Sequence, residues 1–278
     1  MTPSRHGRAG LAATPGGPLE WASYGGGRPA TVFAHGLGQS IETTRPFASG
    51  VRGRRVFFQF RGHGASAPLP QDWTYADLAA DLRAAADEAR ATAALGVSMG
   101  AGALCALLAE DPGRFERIVL VLPAALDAPR EAPLLARADA LAALVAAGDA
   151  PNLALALAQE QAAAPEAAPA VAQWAAGHAR WLLATRPVRA LREMPRQIPV
   201  PDAAPLAAVT APALVIAQED DPVHPVAVAR RLAAALGRAE LVVFPPGGLL
   251  WAHRATLRRS VGEFLTGGDS GEPKGPAK

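Results

Sequence analysis

The sequence G-V-S-M-G, residues 96–100, stands between an apolar run at 91–97 and an alanine- and leucine-rich run at 101–110. By periodicity this indicates a strand, a tight turn and a helix. A serine in such a turn has strained backbone geometry, and only small neighbours let the two chain segments pass each other. We therefore expect the hydroxyl of Ser98 at the carboxyl edge of a sheet, beside the free backbone N–H of Met99 at a helix N-terminus, where negative charge is favoured. Alone, the motif also fits an ordinary glycine-flanked turn.

Other apolar, β-prone segments run into loops rich in glycine or charge. The loops that follow them are H-G-L-G at 35–38, R-G-H-G-A-S at 61–66 and Q-E-D-D-P-V-H-P at 218–225. Strand runs alternate with helical runs along most of the chain, which predicts an α/β fold with a mainly parallel central sheet flanked by helices.

With these motifs, residues 19–266 resemble the α/β-hydrolase family. In that family the serine of the tight G-x-S-x-G turn, called the nucleophile elbow, is the nucleophile, and the H-G-x-G loop shapes an oxyanion hole. The resemblance implies that Ser98 is the nucleophile and that Leu37 and Met99 supply the two oxyanion N–H groups. His35 is expected to hold this loop by hydrogen bonds, at the wall of the substrate pocket. Gln59 stands where the family usually has aspartate.

The family's catalytic acid follows a late strand, and the resemblance places Asp221 at that position. Asp220 is the neighbouring alternative, and Asp127 is where some relatives keep the acid.

The position of the catalytic base departs from the family pattern. The family's histidine normally ends a P-G-x-G-H segment after the last strand, but here Leu249 occupies that position. The next histidine in the same loop is His253, which we assign as the base; a surface position on the last helix is its alternative. His224, beside the acid loop, is a further candidate.

Domain boundaries follow from composition. Residues 1–18 and 267–278 are rich in glycine, proline and charge and are predicted to be flexible. Residues 19–123 and 199–266 form the predicted hydrolase core, and the alanine-rich, proline-broken residues 124–198 form a predicted helical cap.

Within this predicted cap, Trp174, His178 and Trp181 share one helix face. This face either packs the cap onto the core or roofs an apolar substrate pocket.

Composition limits the partners. The net charge is +2 and the arginines are scattered, without the interleaved aromatic residues of a nucleic-acid surface. The sequence shows no membrane span or signal peptide, and the single Cys105 suits a reducing cytoplasm. We therefore expect a small-molecule substrate, no nucleic-acid or membrane partner, and no metal or cofactor. The oligomeric state is left open.

Two functions follow from the resemblance. The first is a serine hydrolase that cleaves an ester, lactone or thioester of a small, largely apolar compound through an acyl-enzyme. The second is a hydrolase fold with weakened or lost chemistry that binds a small molecule, since fold alone does not imply activity.

Overall fold

The computed structural model describes residues 7–161 and 163–267. Its strands are β1 (Arg8–Ala12), β2 (Leu19–Tyr24), β3 (Ala30–Ala34), β4 (Arg54–Phe58), β5 (Ala93–Val97), β6 (Arg117–Val121), β7 (Ala213–Gln218) and β8 (Ala239–Phe244). They form one sheet in the order β1-β2-β4-β3-β5-β6-β7-β8. Strands β3 to β8 are mutually parallel, while β1 and β2 add an antiparallel edge.

The α-helices are α1 (Ile41–Thr44), α2 (Tyr75–Ala89), α3 (Met99–Glu110), α4 (Ala132–Ala147), α5 (Ala150–Gln159), α6 (Ala168–Thr185), α7 (Val188–Glu193), α8 (Val226–Ala235) and α9 (Arg254–Thr266). Helices α2, α3 and α8 pack on one face of the sheet, and α1 and α9 pack on the other. Every residue of β3 and β7 is buried, because a parallel sheet is covered on both sides. The mainly parallel α/β architecture expected from the sequence is confirmed. None of the described helices is both long and apolar enough to cross a membrane.

The amino-terminal edge differs from the expectation. Strand β1 lies within residues 1–18, which the sequence suggested to be flexible, and it pairs with β2 from Arg8 opposite Ser23 to Ala12 opposite Leu19. Most of its side chains are exposed, so backbone hydrogen bonds hold it and no apolar periodicity marks it. The predicted flexible segments at 1–6 and 268–278 lie outside the described residues.

Residues 124–198 lie between β6 and β7 and contain α4 to α7. These helices bury a hydrophobic cluster of their own, separate from the clusters on the two faces of the sheet. Its members include Ala142, Val145, Leu153, Leu157, Ala175, Ala179, Leu182 and Leu191. We call residues 124–198 the helical insert. It touches the loop after β8 through an isolated bridge between Ala163 and Gly247.

Candidate active site

The turn between β5 and α3 has the strained geometry expected for it. Ser98 adopts φ 51° and ψ −108°, and its N–H donates to the carbonyl of Val121 on the neighbouring strand at 2.9 Å. A Cβ on Gly96 would lie 2.4 Å from the carbonyl oxygen of Gly100, and a Cβ on Gly100 would lie 2.4 Å from that of Ala34. The two glycines therefore let strand and helix cross closely enough to leave the serine hydroxyl at the sheet edge.

A hydrogen-bonded chain of three side chains starts at this serine. The Nε2 of His224 lies 3.0 Å from the Oγ of Ser98, and the Nδ1 of the same ring lies 3.0 Å from the Oδ1 of Asp221. A proton on Nδ1 donates to the carboxylate and leaves Nε2 to accept from the serine hydroxyl. This tautomer is the one in which an imidazole can take up the serine proton.

Asp221 is held in place by its own loop. Its Oδ1 also accepts the backbone N–H groups of Val223 at 2.8 Å and His224 at 2.9 Å. Burial opposes ionisation of this carboxyl, but the attraction of the His224 ring and these hydrogen bonds outweigh it, so the pKa of Asp221 lies below its usual value. The carboxylate is thus an ionised, fixed acceptor for the ring.

The other two candidate acids lie elsewhere. Asp220 is exposed, with a positive φ of 56°. Asp127 forms an ion pair with Arg231 on α8. The hydrogen-bond chain therefore includes Asp221 and neither alternative.

The structure does not bring the expected base to the serine. The Nε2 of His253 lies 3.1 Å from the carbonyl oxygen of Pro246, and the ring packs against Phe244. A wide π-helical turn, Gly248–Ala252, precedes α9 and sets this position. Leu249, at the position usual for histidine, is 4% exposed and packs into the core. His224, the further candidate from the acid loop, is the histidine that contacts Ser98 instead.

The two expected oxyanion donors belong to the two chain segments next to the serine. Leu37 lines the same cleft as Ser98, and Met99 begins α3 directly after it. Among the described residues, neither backbone N–H has a hydrogen-bond acceptor. A Cβ on Gly36, the residue before Leu37, would lie 3.5 Å from the Cβ of Ser98, so the loop passes close to the serine.

Two buried histidines support this loop from behind. His35 donates from Nδ1 to the carbonyl of Gly36 at 2.7 Å and accepts the N–H of Phe60 at Nε2 at 2.9 Å. It is fully buried and holds the loop, but it is not among the residues lining the cleft. His63 accepts the N–H of Gly38 at Nε2 at 3.1 Å.

Burial keeps both of these histidines neutral. Burial lowers the pKa of His63 to about 4, and burial together with the nearby His63 ring lowers that of His35 well below its usual value. The loop that carries His63 is itself fixed by Arg61, whose guanidinium makes two hydrogen bonds to Asp81 and one to Asp77.

A cleft of about 480 Å³ opens at Ser98 and His224, in the size range of small-molecule sites. Its surface is mainly apolar. Apolar lining residues from the core and the helical insert include Leu122, Leu134, Leu141, Trp174, Leu191 and Leu249.

Of the aromatic face predicted on α6, only part reaches this cleft. Trp174 lines it, whereas His178 is buried and stacks between Trp174 and Trp181, with ring centroids 5.1 and 5.6 Å apart. Burial lowers the pKa of His178 to about 4, so this ring is also neutral. His178 and Trp181 therefore pack within the insert, and of the three residues only Trp174 lines the cleft.

Other reactive groups do not add to the site. Cys105 is buried in α3, and burial raises its pKa to about 12, so the thiol stays protonated. In the described part of the chain, no three histidine, cysteine or acidic side chains are grouped to hold a metal ion.

Comparison with known proteins agrees with this architecture. An α/β hydrolase enzyme from a Medee basin deep-sea metagenome library superposes with a TM-score of 0.77, at 16% identity over 95% of this chain and 100% of that one. An esterase from Exiguobacterium antarcticum gives 0.76, at 18% identity over 92% and 98%. The enol-lactonase from Burkholderia xenovorans gives 0.74, at 23% identity over 92% and 100%. At these identities the likeness shows the fold alone. No curated protein gives a sequence match.

The sequence profile described as the alpha/beta hydrolase family matches residues 31–259. This range contains the turn at Ser98, the H-G-L-G loop at 35–38 and the loop of Asp221, and it covers most of the chain. The chain therefore belongs to the alpha/beta hydrolase family.

Proposed function

We propose that this chain is a serine hydrolase that cleaves ester-type bonds of small molecules through an acyl-enzyme. Ser98 is the nucleophile, His224 the general base and Asp221 the acid that orients it. The observation that carries the proposal is the hydrogen-bonded chain from Ser98 through His224 to Asp221. A serine hydroxyl becomes a useful nucleophile only when such a base takes its proton.

In the first half of the proposed reaction, Oγ of Ser98 attacks the substrate carbonyl carbon while its proton passes to Nε2 of His224. Asp221 stabilises the imidazolium that forms. The oxyanion is bound by the N–H groups of Leu37 and Met99, and the positive end of α3 adds to their field. His224 then returns the proton to the leaving oxygen or sulfur as the bond to the carbonyl breaks, which leaves an ester on Ser98.

In the second half, water replaces the leaving group. His224 takes a proton from the water as its oxygen attacks the acyl carbon, and the proton then goes to Oγ of Ser98 as the acid product leaves. The same three side chains serve both halves, so no further reactant is needed.

The cleft favours a small substrate with apolar parts. Its volume and leucine-rich wall suit a short acyl or lactone ring, and we infer that the helical insert acts as a cap over it. Among the proteins that share the fold, one is named an esterase and another an enol-lactonase, and both names agree with cleavage next to a carbonyl. Ester, lactone and thioester substrates all fit this mechanism.

Hydrolysis of short 4-nitrophenyl esters tests the proposal. The wild type is expected to turn them over, and Ser98→Ala is expected to lose about 10^3-fold or more in kcat/KM while it remains folded by circular dichroism. A fluorophosphonate probe should label the wild type at Ser98 and leave Ser98→Ala unlabelled. An inert and unlabelled wild type would instead favour the binding-module alternative.

A further inference from the structure

The wall of the cleft contains a partly buried arginine without an acidic partner among the described residues. Arg130 lies just before α4 and lines the same cleft as Ser98 and His224. Its Nε is buried, and none of the described residues accepts a hydrogen bond from it. Among the described ion pairs Arg130 takes part in none, and its contact is with Tyr75.

Tyr75 does not neutralise this charge. Burial raises the pKa of Tyr75 to about 12, so its hydroxyl is uncharged at neutral pH and accepts a hydrogen bond only as a neutral oxygen. Burial also lowers the pKa of Arg130, which the Tyr75 contact opposes. A guanidinium remains protonated in proteins, and leaving its donors unpaired away from water costs free energy. Leaving the buried Nε unpaired therefore costs free energy, which an acceptor bound in the cleft would offset.

The other charged groups of the cleft wall have partners or lie in the open. Arg137 is paired with Glu160 at 3.1 Å, and Asp221 is paired with His224. Glu42, at the rim, is exposed and accepts from the hydroxyl of Ser40. Arg254 is exposed. Arg130 is thus a partly buried charge in this wall, with a buried Nε, that forms an ion pair with no described side chain.

Tyr75 connects Arg130 to α3, the helix that begins directly after Ser98. The ring of Tyr75 lies against Gly102, whose missing Cβ would be 2.9 Å from the Tyr75 hydroxyl. The N–H of Gly102 donates to the carbonyl of Ser98 at 3.1 Å, so the two residues are about one helical turn apart, a rise of about 6 Å. Arg130 and Ser98 therefore line one cleft of about 480 Å³, with Tyr75 and one turn of α3 between them.

We propose that Arg130 binds a carboxylate of the substrate, so that the preferred substrates are esters or lactones whose short acyl part ends in a second, free carboxylate. This rests on the proposed hydrolase function. A carboxylate accepts two hydrogen bonds from a guanidinium, which matches the unpaired Nε and its neighbouring N–H groups. The leucine-rich wall then contacts the methylene groups between the two ends of the acyl part.

Two matched esters test the inference. 4-Nitrophenyl pentanoate and mono-4-nitrophenyl glutarate carry five-carbon acyl chains that differ in the terminal carboxylate. With uncatalysed rates subtracted, the wild type is expected to prefer the glutarate. Arg130→Met is expected to lose about 10- to 100-fold in kcat/KM for the glutarate, mainly through KM, and to change little with the pentanoate. Arg130→Lys should keep part of the preference.

Arg192→Met is the matched control, because Arg192 is an exposed arginine of the helical insert that does not line the cleft. It should keep the wild-type preference. If the wild type hydrolyses both esters equally, or if Arg130→Met lowers both rates in the same proportion, the inference is overturned while the hydrolase function stands.

Binding separates this inference from the hydrolase function. By calorimetry, Ser98→Ala is expected to bind monomethyl glutarate more tightly than methyl pentanoate. The additional substitution Arg130→Met should remove this difference in affinity. A difference that persists without Arg130 overturns the inference. Arg130-dependent binding by a chain whose wild type hydrolyses no ester would support the carboxylate site and contradict the hydrolase.

Discussion

His224 and Asp221 belong to one loop, three residues apart, and the carboxylate oxygen that accepts the ring Nδ1 of His224 also accepts the backbone N–H of the same residue. The proposed base and its orienting acid are therefore both held by a single turn after β7. Because that turn supplies both groups, the loop after β8 has no need of a histidine. This explains how Leu249 can occupy the position that is usual for one.

Alanine substitutions of the two candidate bases, His224 and His253, can be compared directly. His224→Ala removes the ring that contacts Ser98, and we expect kcat/KM for an aryl ester to fall by about 10^3-fold or more. His253→Ala removes a ring that contacts Pro246 instead, and activity should stay within about two-fold of the wild type.

Because members of a catalytic set act as a unit, the double variant Ser98→Ala/His224→Ala should be no worse than either single one. A severe loss in His253→Ala together with a mild one in His224→Ala would reverse the assignment.

The acid is tested in the same way. Asp221→Asn keeps the size of the side chain and an oxygen for the two backbone N–H groups. It removes the charge that stabilises the imidazolium and favours the wrong ring tautomer, so we expect kcat to fall by about 10^2- to 10^4-fold. Asp127→Asn is the control, because Asp127 pairs with Arg231 away from the ring. Comparable damage by both variants would contradict the assignment of Asp221.

The crossing of β5 and α3 predicts a stability effect. Gly96→Ala places a Cβ 2.4 Å from the carbonyl oxygen of Gly100, a contact that forces the backbone to move. We expect the free energy of unfolding to fall by at least about 2 kcal/mol. Gly113→Ala is the control, since a Cβ there meets nothing within 4 Å, and its free energy of unfolding should change by less than about 1 kcal/mol. Urea unfolding of both variants gives the comparison.

Much of the fold could be predicted because its signals are local. Buried parallel strands such as β5 and β6 are short, nearly continuous apolar runs, and glycine-bounded loops follow strands at the sheet edge. Strand β1 could not be found this way, because most of its side chains are exposed and its pairing with β2 depends on backbone groups that any sequence has.

The positions of Ser98 and Asp221 in the hydrogen-bonded chain were predictable for the same reason, since each residue follows a strand in a recognisable loop. The histidine of that chain was not, because the choice between His224 and His253 depends on where a loop directs a ring. The family pattern indicated a base in the loop after β8. The D-x-x-H spacing of Asp221 and His224 was a local signal for a base in the loop after β7. His178 and Trp181 share a helix face with Trp174, but periodicity does not tell which side of that face meets the cleft.

The neutral histidine behind the oxyanion loop predicts a pH dependence. The pKa of His63 falls from 6.5 to about 4 on folding, so between these values the unfolded chain binds a proton that the folded chain does not. Stability is therefore fully present above pH 6.5 and falls as the pH drops to about 4, by at most about 3.5 kcal/mol for this residue at about 1.4 kcal/mol per pKa unit.

The substitution His63→Gln isolates this effect, because glutamine keeps an acceptor for the Gly38 N–H but does not titrate. The free energy of unfolding, measured by urea at pH 7 and pH 4.5, should fall less in His63→Gln than in the wild type. Equal losses in the two proteins would show that His63 is not the group responsible.

The last prediction concerns the leucine at the usual histidine position. Leu249 is 4% exposed and packs into the core beneath the cleft. Leu249→His removes apolar contacts and buries an imidazole, so we expect the free energy of unfolding to fall by about 2 kcal/mol. Leu155→His is the control, because Leu155 is 58% exposed, and its change should stay within about 0.5 kcal/mol. Activity of Leu249→His should not exceed that of the wild type, since the Oδ1 of Asp221 already accepts the ring of His224 and two backbone N–H groups. A clear gain in kcat/KM would mean that the acid can orient a second ring from the loop after β8, and that His224 is not the base on which the protein relies.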